Sequence, residues 1–152
     1  MKDASNILIQ KYYERLNGAV SYIEDGKTKY YKVFDGYSVN ANAKQPYITL
    51  SGYMDTELGQ GSKSSYGLEA YLIIDIWVLF ENSFGGTKLV NEIGNQVTEL
   101  LRTRQAGYLD LSPDFQLISI VKDNSANYNE LVTNGYLARK SIRFKHLLDQ
   151  LT

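Results

Sequence analysis

Residues 71–80, Tyr-Leu-Ile-Ile-Asp-Ile-Trp-Val-Leu-Phe, limit the possible folds of this chain more than any other segment. Side chains alternate across an extended strand, so Leu72, Ile74, Ile76, Val78 and Phe80 share one face and Tyr71, Ile73, Asp75, Trp77 and Leu79 the other. The first face belongs in a core. The second is too apolar for a strand whose far side meets only water, so something is expected to cover it. Asp75 interrupts the run, which is too short to cross a bilayer as a helix.

The other segments supply the partners such a strand needs. In residues 87–102, Leu89, Val90, Ile93, Val97, Leu100 and Leu101 form a stripe at helical spacing, with Lys88, Glu92, Glu99 and Arg102 on the polar side. A second helix is predicted over residues 4–16, where Ala4, Ile7, Leu8, Tyr12 and Leu16 recur, Asp3 or Ser5 can cap the start, and Asn17-Gly18 closes the end. Short strands are expected at 20–23 and 30–33 around an Asp25-Gly26 hairpin turn, and at 46–50 behind Pro46. Two more are expected at 115–122 and 136–145, joined by the polar residues 123–129. Residues 56–67, rich in glycine and serine, read as a long surface connection.

One α+β domain over residues 1–152 follows: a mainly antiparallel sheet of four to six strands with two helices on one face. The apolar fraction of 43% and charged fraction of 22% are those of a folding globular chain rather than a disordered one. The start Met1-Lys2-Asp3-Ala4-Ser5 has no apolar run behind it, so neither a secretory leader nor a membrane partner is expected.

Chemistry is sparse. With 16 Lys+Arg against 17 Asp+Glu the chain has no field of one sign for a polyanion, and with no cysteine it has no disulfide, thiolate metal site or thiol nucleophile. The only histidine, His146, falls near the end of the last predicted strand and is expected to be partly exposed; alone it builds neither a catalytic triad nor a metal centre. Gly59-Gln60-Gly61 and Phe84-Gly85-Gly86-Thr87-Lys88 lack the spacing of phosphate-binding loops and read as turns. The acids Glu24, Asp25, Asp55 and Glu57 read as turn and loop residues, although a pair of them beside a cleft would suit acid/base work. Arg139, Arg143 and Lys145 share a strand face, either as a solvated row balanced by acids or as a row facing DNA. Tyr12-Tyr13 and Tyr30-Tyr31 do not alternate with basic residues as a base-stacking platform would. No catalytic residue, cofactor or metal is expected. The thirteen tyrosines suit surfaces that become buried against a partner.

The chain order resembles the tail terminator, or tail completion, family of long-tailed bacteriophages. The resemblance is carried by a helix ending in Leu16-x-Gly18-x-Val20, the Pro46-Tyr47-Ile48-Thr49-Leu50 strand and a Gly/Ser loop. It continues through the Ile74-Asp75-Ile76-Trp77-Val78 strand, an amphipathic helix and two final strands. The polar insert at 24–29 and the abundance of tyrosine depart from that pattern. The resemblance implies a structural virion protein, assembled in the host cytoplasm, that forms a ring, commonly a hexamer, at the head-proximal end of the tail. Such a ring stops tail-tube polymerisation and joins the tube protein to neck or connector proteins, with DNA passing through its lumen. The expected ring interface is Tyr71, Ile73, Trp77 and Leu79, and the expected inter-ring loop holds Gly59, Gly61, Ser62, Ser64 and Ser65. Competing readings are a connector ring or other minor tail protein, a small acid/base enzyme, and a monomeric binding module whose second sheet face is covered by the chain itself.

Overall fold

The computed structural model describes residues 2–35, 46–58, 66–80, 87–102, 107–132 and 135–151. Helix α1 (Ser5–Leu16) begins where Asp3 Oδ1 accepts the Ser5 N–H at 2.8 Å. It ends where Asn17 N–H reaches the Tyr13 carbonyl and Gly18 turns the backbone left-handed, a conformation that glycine adopts without steric penalty. Its buried residues, Leu8, Tyr12 and Leu16, follow at four-residue spacing along one face.

Strands β1 (Ser21–Glu24) and β2 (Lys27–Tyr30) form the predicted hairpin, with Asp25 and Gly26 both at positive φ as a two-residue turn of this hand requires. The second stretch expected at 30–33 is not one strand. Tyr31 N–H donates to the Val20 carbonyl and closes the hairpin, and β3 (Lys32–Asp35) then enters another sheet.

That sheet has five strands in the order β3-β4-β5-β7-β6. It comprises β3, β4 (Tyr47–Glu57), β5 (Tyr66–Phe80), β6 (Phe115–Val132) and β7 (Gly135–Gln150), with helix α2 (Lys88–Arg102) between β5 and β6 in sequence. The sheet is mainly antiparallel, as expected, but not purely so: β3 runs parallel to β4, while every other pair is antiparallel. β4 passes a bulge at Leu50/Gly52 and continues to Glu57, so Thr56 and Glu57 are strand rather than connection; residues 59–65 lie outside the described residues. Residues 123–129, read as a joint between strands, lie inside β6. An edge strand paired on one side and wet on both faces carries no apolar alternation to announce it.

Both helices pack on one face of the sheet. Tyr12 of α1 meets Phe144 and His146 of β7, and Gly94 of α2 lies over Lys140 and Ile142 of the same strand face. Between the layers sit Leu72, Ile74, Ile76 and Val78, all buried as the alternation requires, with Val90, Ile93, Val97 and Leu101 above them. Phe80, at the strand end, is only partly buried against Tyr136.

Gly94 sets the approach of α2. A Cβ there would lie 3.0 Å from Cδ and Cε of Lys140 and 3.4 Å from Cδ1 of Ile142. Gly94→Leu should therefore destabilise the fold by about 1–3 kcal/mol through overpacking, read as a lowered urea midpoint with unchanged m-value. Gly94→Ala should cost less, since alanine regains about 1 kcal/mol of helix propensity and the Lys140 stem can shift. Equal stability of the leucine variant and the native protein would mean that α2 does not sit this close to β7.

Candidate functional site

The face away from the helices is the expected interaction surface, and cross-strand register assembles it. Tyr47, Trp77, Arg139 and Tyr128 stand side by side across β4, β5, β7 and β6. The next rows are Thr49, Asp75, Ser141 and Ala126, then Gly52, Ile73, Arg143 and Asn124, then Met54, Tyr71, Lys145 and Val121. Tyr71, Ile73, Trp77 and Leu79 thus share this face as predicted, with Leu79 39% exposed and the other three partly buried.

Neighbouring side chains account for the partial burial. The Trp77 indole stacks on Tyr47 with ring centroids 6.3 Å apart, donates its N–H to Thr49 Oγ1 at 3.1 Å, and lies under the Arg139 guanidinium, 4.8 Å from the ring centroid. Arg139 also stands 5.1 Å from the Tyr128 ring and donates from Nε to Asp75 Oδ1 at 3.1 Å. Asp75, the charge that interrupts the apolar run, is only 3% exposed and is folded into this face. Removing one member of such a pair strands a buried charge.

The basic row is brought together and balanced by acids. Arg143 Nε donates to Asp123 Oδ2 at 2.7 Å and its guanidinium lies over Tyr71, while Lys145 Nζ meets Glu69 Oε1 at 2.9 Å. Glu69 holds the Lys145 ammonium above its usual pKa. Two members of the row therefore also anchor aromatic rings, a role that charge alone did not reveal.

His146 is a correction. It is fully buried rather than partly exposed, because β7 runs on to Gln150 and places it on the helix-facing side. Nδ1 lies 2.8 Å from the Ala70 carbonyl, which can only accept, so Nδ1 carries the proton and Nε2 accepts from the Tyr12 hydroxyl. Burial, opposed by that backbone hydrogen bond, pushes the imidazole pKa down to about 4, and burial pushes the Tyr12 phenol well above its usual value. The tyrosine pairs divide likewise: Tyr12 and Tyr31 are buried while Tyr13 and Tyr30 are exposed, so neither pair forms a stacking platform.

The acids are dispersed. Asp25 occupies the β1–β2 turn, whereas Asp55 and Glu57 line an open cavity of about 490 Å³ with Lys2, Asp3, Ser5 and Tyr53. The Ser5 backbone N–H holds Asp3 below the usual carboxylate range, opposite to what a general acid at neutral pH requires. Among the described residues, no three His, Cys, Asp or Glu side chains are grouped to hold a metal, and no helix is long and apolar enough to cross a membrane. The segments Gly59-Gln60-Gly61 and Phe84-Gly85-Gly86, together with Ser62, Ser64 and Ser65, lie outside the described residues.

No family model matches the chain, and no curated protein sequence matches it. Among solved structures it is similar to a chain of one described as the virion of a native gene transfer agent (GTA) particle. The TM-score is 0.68 at 14% identity, over 98% of this chain and 99% of that one. At that identity the likeness establishes a shared fold.

Two measurements test this geometry. The folded pKa of His146 is depressed below its ordinary 6.5, so the unfolded chain binds the extra proton between pH 6.5 and about 4. Stability is therefore full above pH 6.5 and falls as the pH drops through that window, by about 1.4 kcal/mol per unit where the unfolded histidine is charged. Urea titrations from pH 7.5 to 5 should show roughly 2 kcal/mol of loss, and His146→Gln should flatten that slope; because the chain has no other histidine, an unchanged slope would refute the assignment. Arg139→Met should cost about 1–3 kcal/mol, less than for a pair buried on both sides because Arg139 is partly exposed, by leaving Asp75 without its partner, and Arg139→Met/Asp75→Leu should recover part of it. A cost within about 0.5 kcal/mol, as for an ordinary surface residue, would mean that Asp75 does not depend on Arg139.

Proposed function

We propose that the protein is a structural component of a phage-like virion that assembles into a homo-oligomeric ring at the head-proximal end of the tail, ends tube polymerisation there and joins tail to neck. The observation that carries the reading is the end-to-end agreement of its fold with a chain of a gene transfer agent virion. Its support from physics is the outer sheet face. Tyr47, Tyr71, Ile73, Trp77, Leu79 and Tyr128 form an aromatic-rich surface whose charges are already paired among themselves, a composition suited to protein contact. Pairing of Arg139, Arg143 and Lys145 with acids leaves them little counterion release to offer DNA, which favours a protein–protein role for this row.

In this reading no residue reacts and no cofactor is held. The partners are further copies, with six as the expected ring order, then the tube protein on one side and neck or connector proteins on the other. Residues 59–65 are assigned to the contact between rings. A connector ring nearer the portal uses the same surfaces and differs in its neighbours within the particle.

Native mass spectrometry should find a closed oligomer, and Leu79→Lys should weaken it at least tenfold while leaving monomer stability within about 0.5 kcal/mol, because Leu79 is already exposed. Trp77→Asp should weaken assembly too, but with some loss of folding, since its indole is held by Tyr47, Thr49 and Arg139. A strict monomer in solution, together with a particle in which no two copies touch, would refute the ring.

A further inference from the structure

β6 is the outermost strand of the five-stranded sheet, and among the described residues no strand lies beside the backbone groups on its far side. An edge like this is a template for another strand unless bulges, charges or proline spoil it. The two register shifts between β6 and β7, at Leu117/Ser119 and Lys122/Asn124, fall in its first part. Residues 124–132 then run without a shift, contain no proline and carry Glu130 as their single charge.

Half of the large hydrophobic side chains exposed among the described residues, namely Tyr108, Ile118, Val121, Tyr128, Leu131 and Leu151, lie on β6 or beside its beginning. A second group, Ile23 and Tyr30, sits on the β1–β2 hairpin, which leads directly into β3 at the opposite edge of the sheet. The two surfaces are different: one runs along the β6 edge, and the other lies on the hairpin that precedes the β3 edge strand.

Among the described residues the hairpin has no third strand. Two strands of four residues are marginal in water without further packing. This pair is held by two hydrogen bonds between Gln96 and the Ser21 backbone and by Tyr22 against Tyr31, while β2 is exposed along its whole length. β2 also carries Lys27, opposite in sign to Glu130.

We propose that residues 124–132 of β6 take the β1–β2 hairpin of a second copy of this chain as their next strands, with β2 lying against β6. The inference rests on the ring reading and names a contact within it. Because two unlike edges meet, the contact repeats head to tail and can close a ring, whereas β6 against β6 would be two-fold and stop at a dimer. Backbone hydrogen bonds supply the affinity, and the Tyr128, Leu131, Ile23 and Tyr30 side chains supply the selection.

The absence of cysteine makes the test direct. Thr28→Cys, Asn129→Cys and the double variant, at exposed positions that leave the four selecting side chains in place, are made, checked for native circular dichroism and melting temperature, and treated with a short bismaleimide. The double variant should give a ladder of covalent oligomers, an equimolar mixture of the two single variants should stop at dimers, and each single variant should stay at monomer mass. Those amides of residues 27–30 and 124–132 that face away from β1 and β7 should exchange roughly tenfold more slowly in the oligomer than in diluted monomer. Dimers from Asn129→Cys alone would overturn the proposal in favour of a two-fold edge. Closed rings by native mass without any 28–129 product would overturn this contact while the ring itself stood, and monomer throughout would overturn both.

Discussion

The pairing of β5 with β7 is the interaction on which the rest of the molecule depends. It runs in unbroken antiparallel register from Tyr66 opposite Gln150 to Phe80 opposite Tyr136. That register decides which side chains reach which layer, since a slip of one residue would exchange the two faces of a strand. It sets Ala70 opposite His146, so the histidine can be satisfied by the Ala70 carbonyl and by α1. It sets Trp77 opposite Arg139, so the guanidinium reaches both the indole and Asp75. The helices add burial to a sheet whose alignment these two strands have already determined.

What sequence reading captures here is local and periodic. β5 and α2 were visible because apolar side chains recur at spacings of two and of three to four, and the first hairpin because Asp25-Gly26 suits positive φ at both turn positions. β6 carries no such period: Asn124, Ser125, Asn127 and Asn129 look like a loop although β7 pairs with every one of them. Nor does anything local in Tyr30-Tyr31-Lys32 reveal that the chain changes sheets there, between β2 and β3. The parallel β3–β4 pairing, four residues long, has no sequence signal of its own.

The candidate surface was legible in part. Alternation placed Tyr71, Ile73, Trp77 and Leu79 together, but the reason that face tolerates Asp75 lies on β7, far along the chain. The burial of His146 is hidden from its local sequence for a related reason. Its hydrogen-bond partners are Tyr12 and Ala70, and no window of sequence around residue 146 contains either. Long-range pairing thus hid both the burial of the lone histidine and the neutralisation of the basic row.

The placement of β7 also governs the order in which this protein can be completed during synthesis. β5 leaves the ribosome with its neighbour β4 already made, but its other neighbour is the last strand of the described chain, after α2 and β6. Until then one edge of the most apolar strand stays open, and α1, the first element made, lacks the β7 residues Phe144 and His146 that Tyr12 packs against. Closing so long a loop is entropically slow, and an open apolar edge is what misassembly uses. From the completion of β5 onward the nascent chain is therefore an unclosed sheet, and β7 is the strand whose arrival ends that exposure.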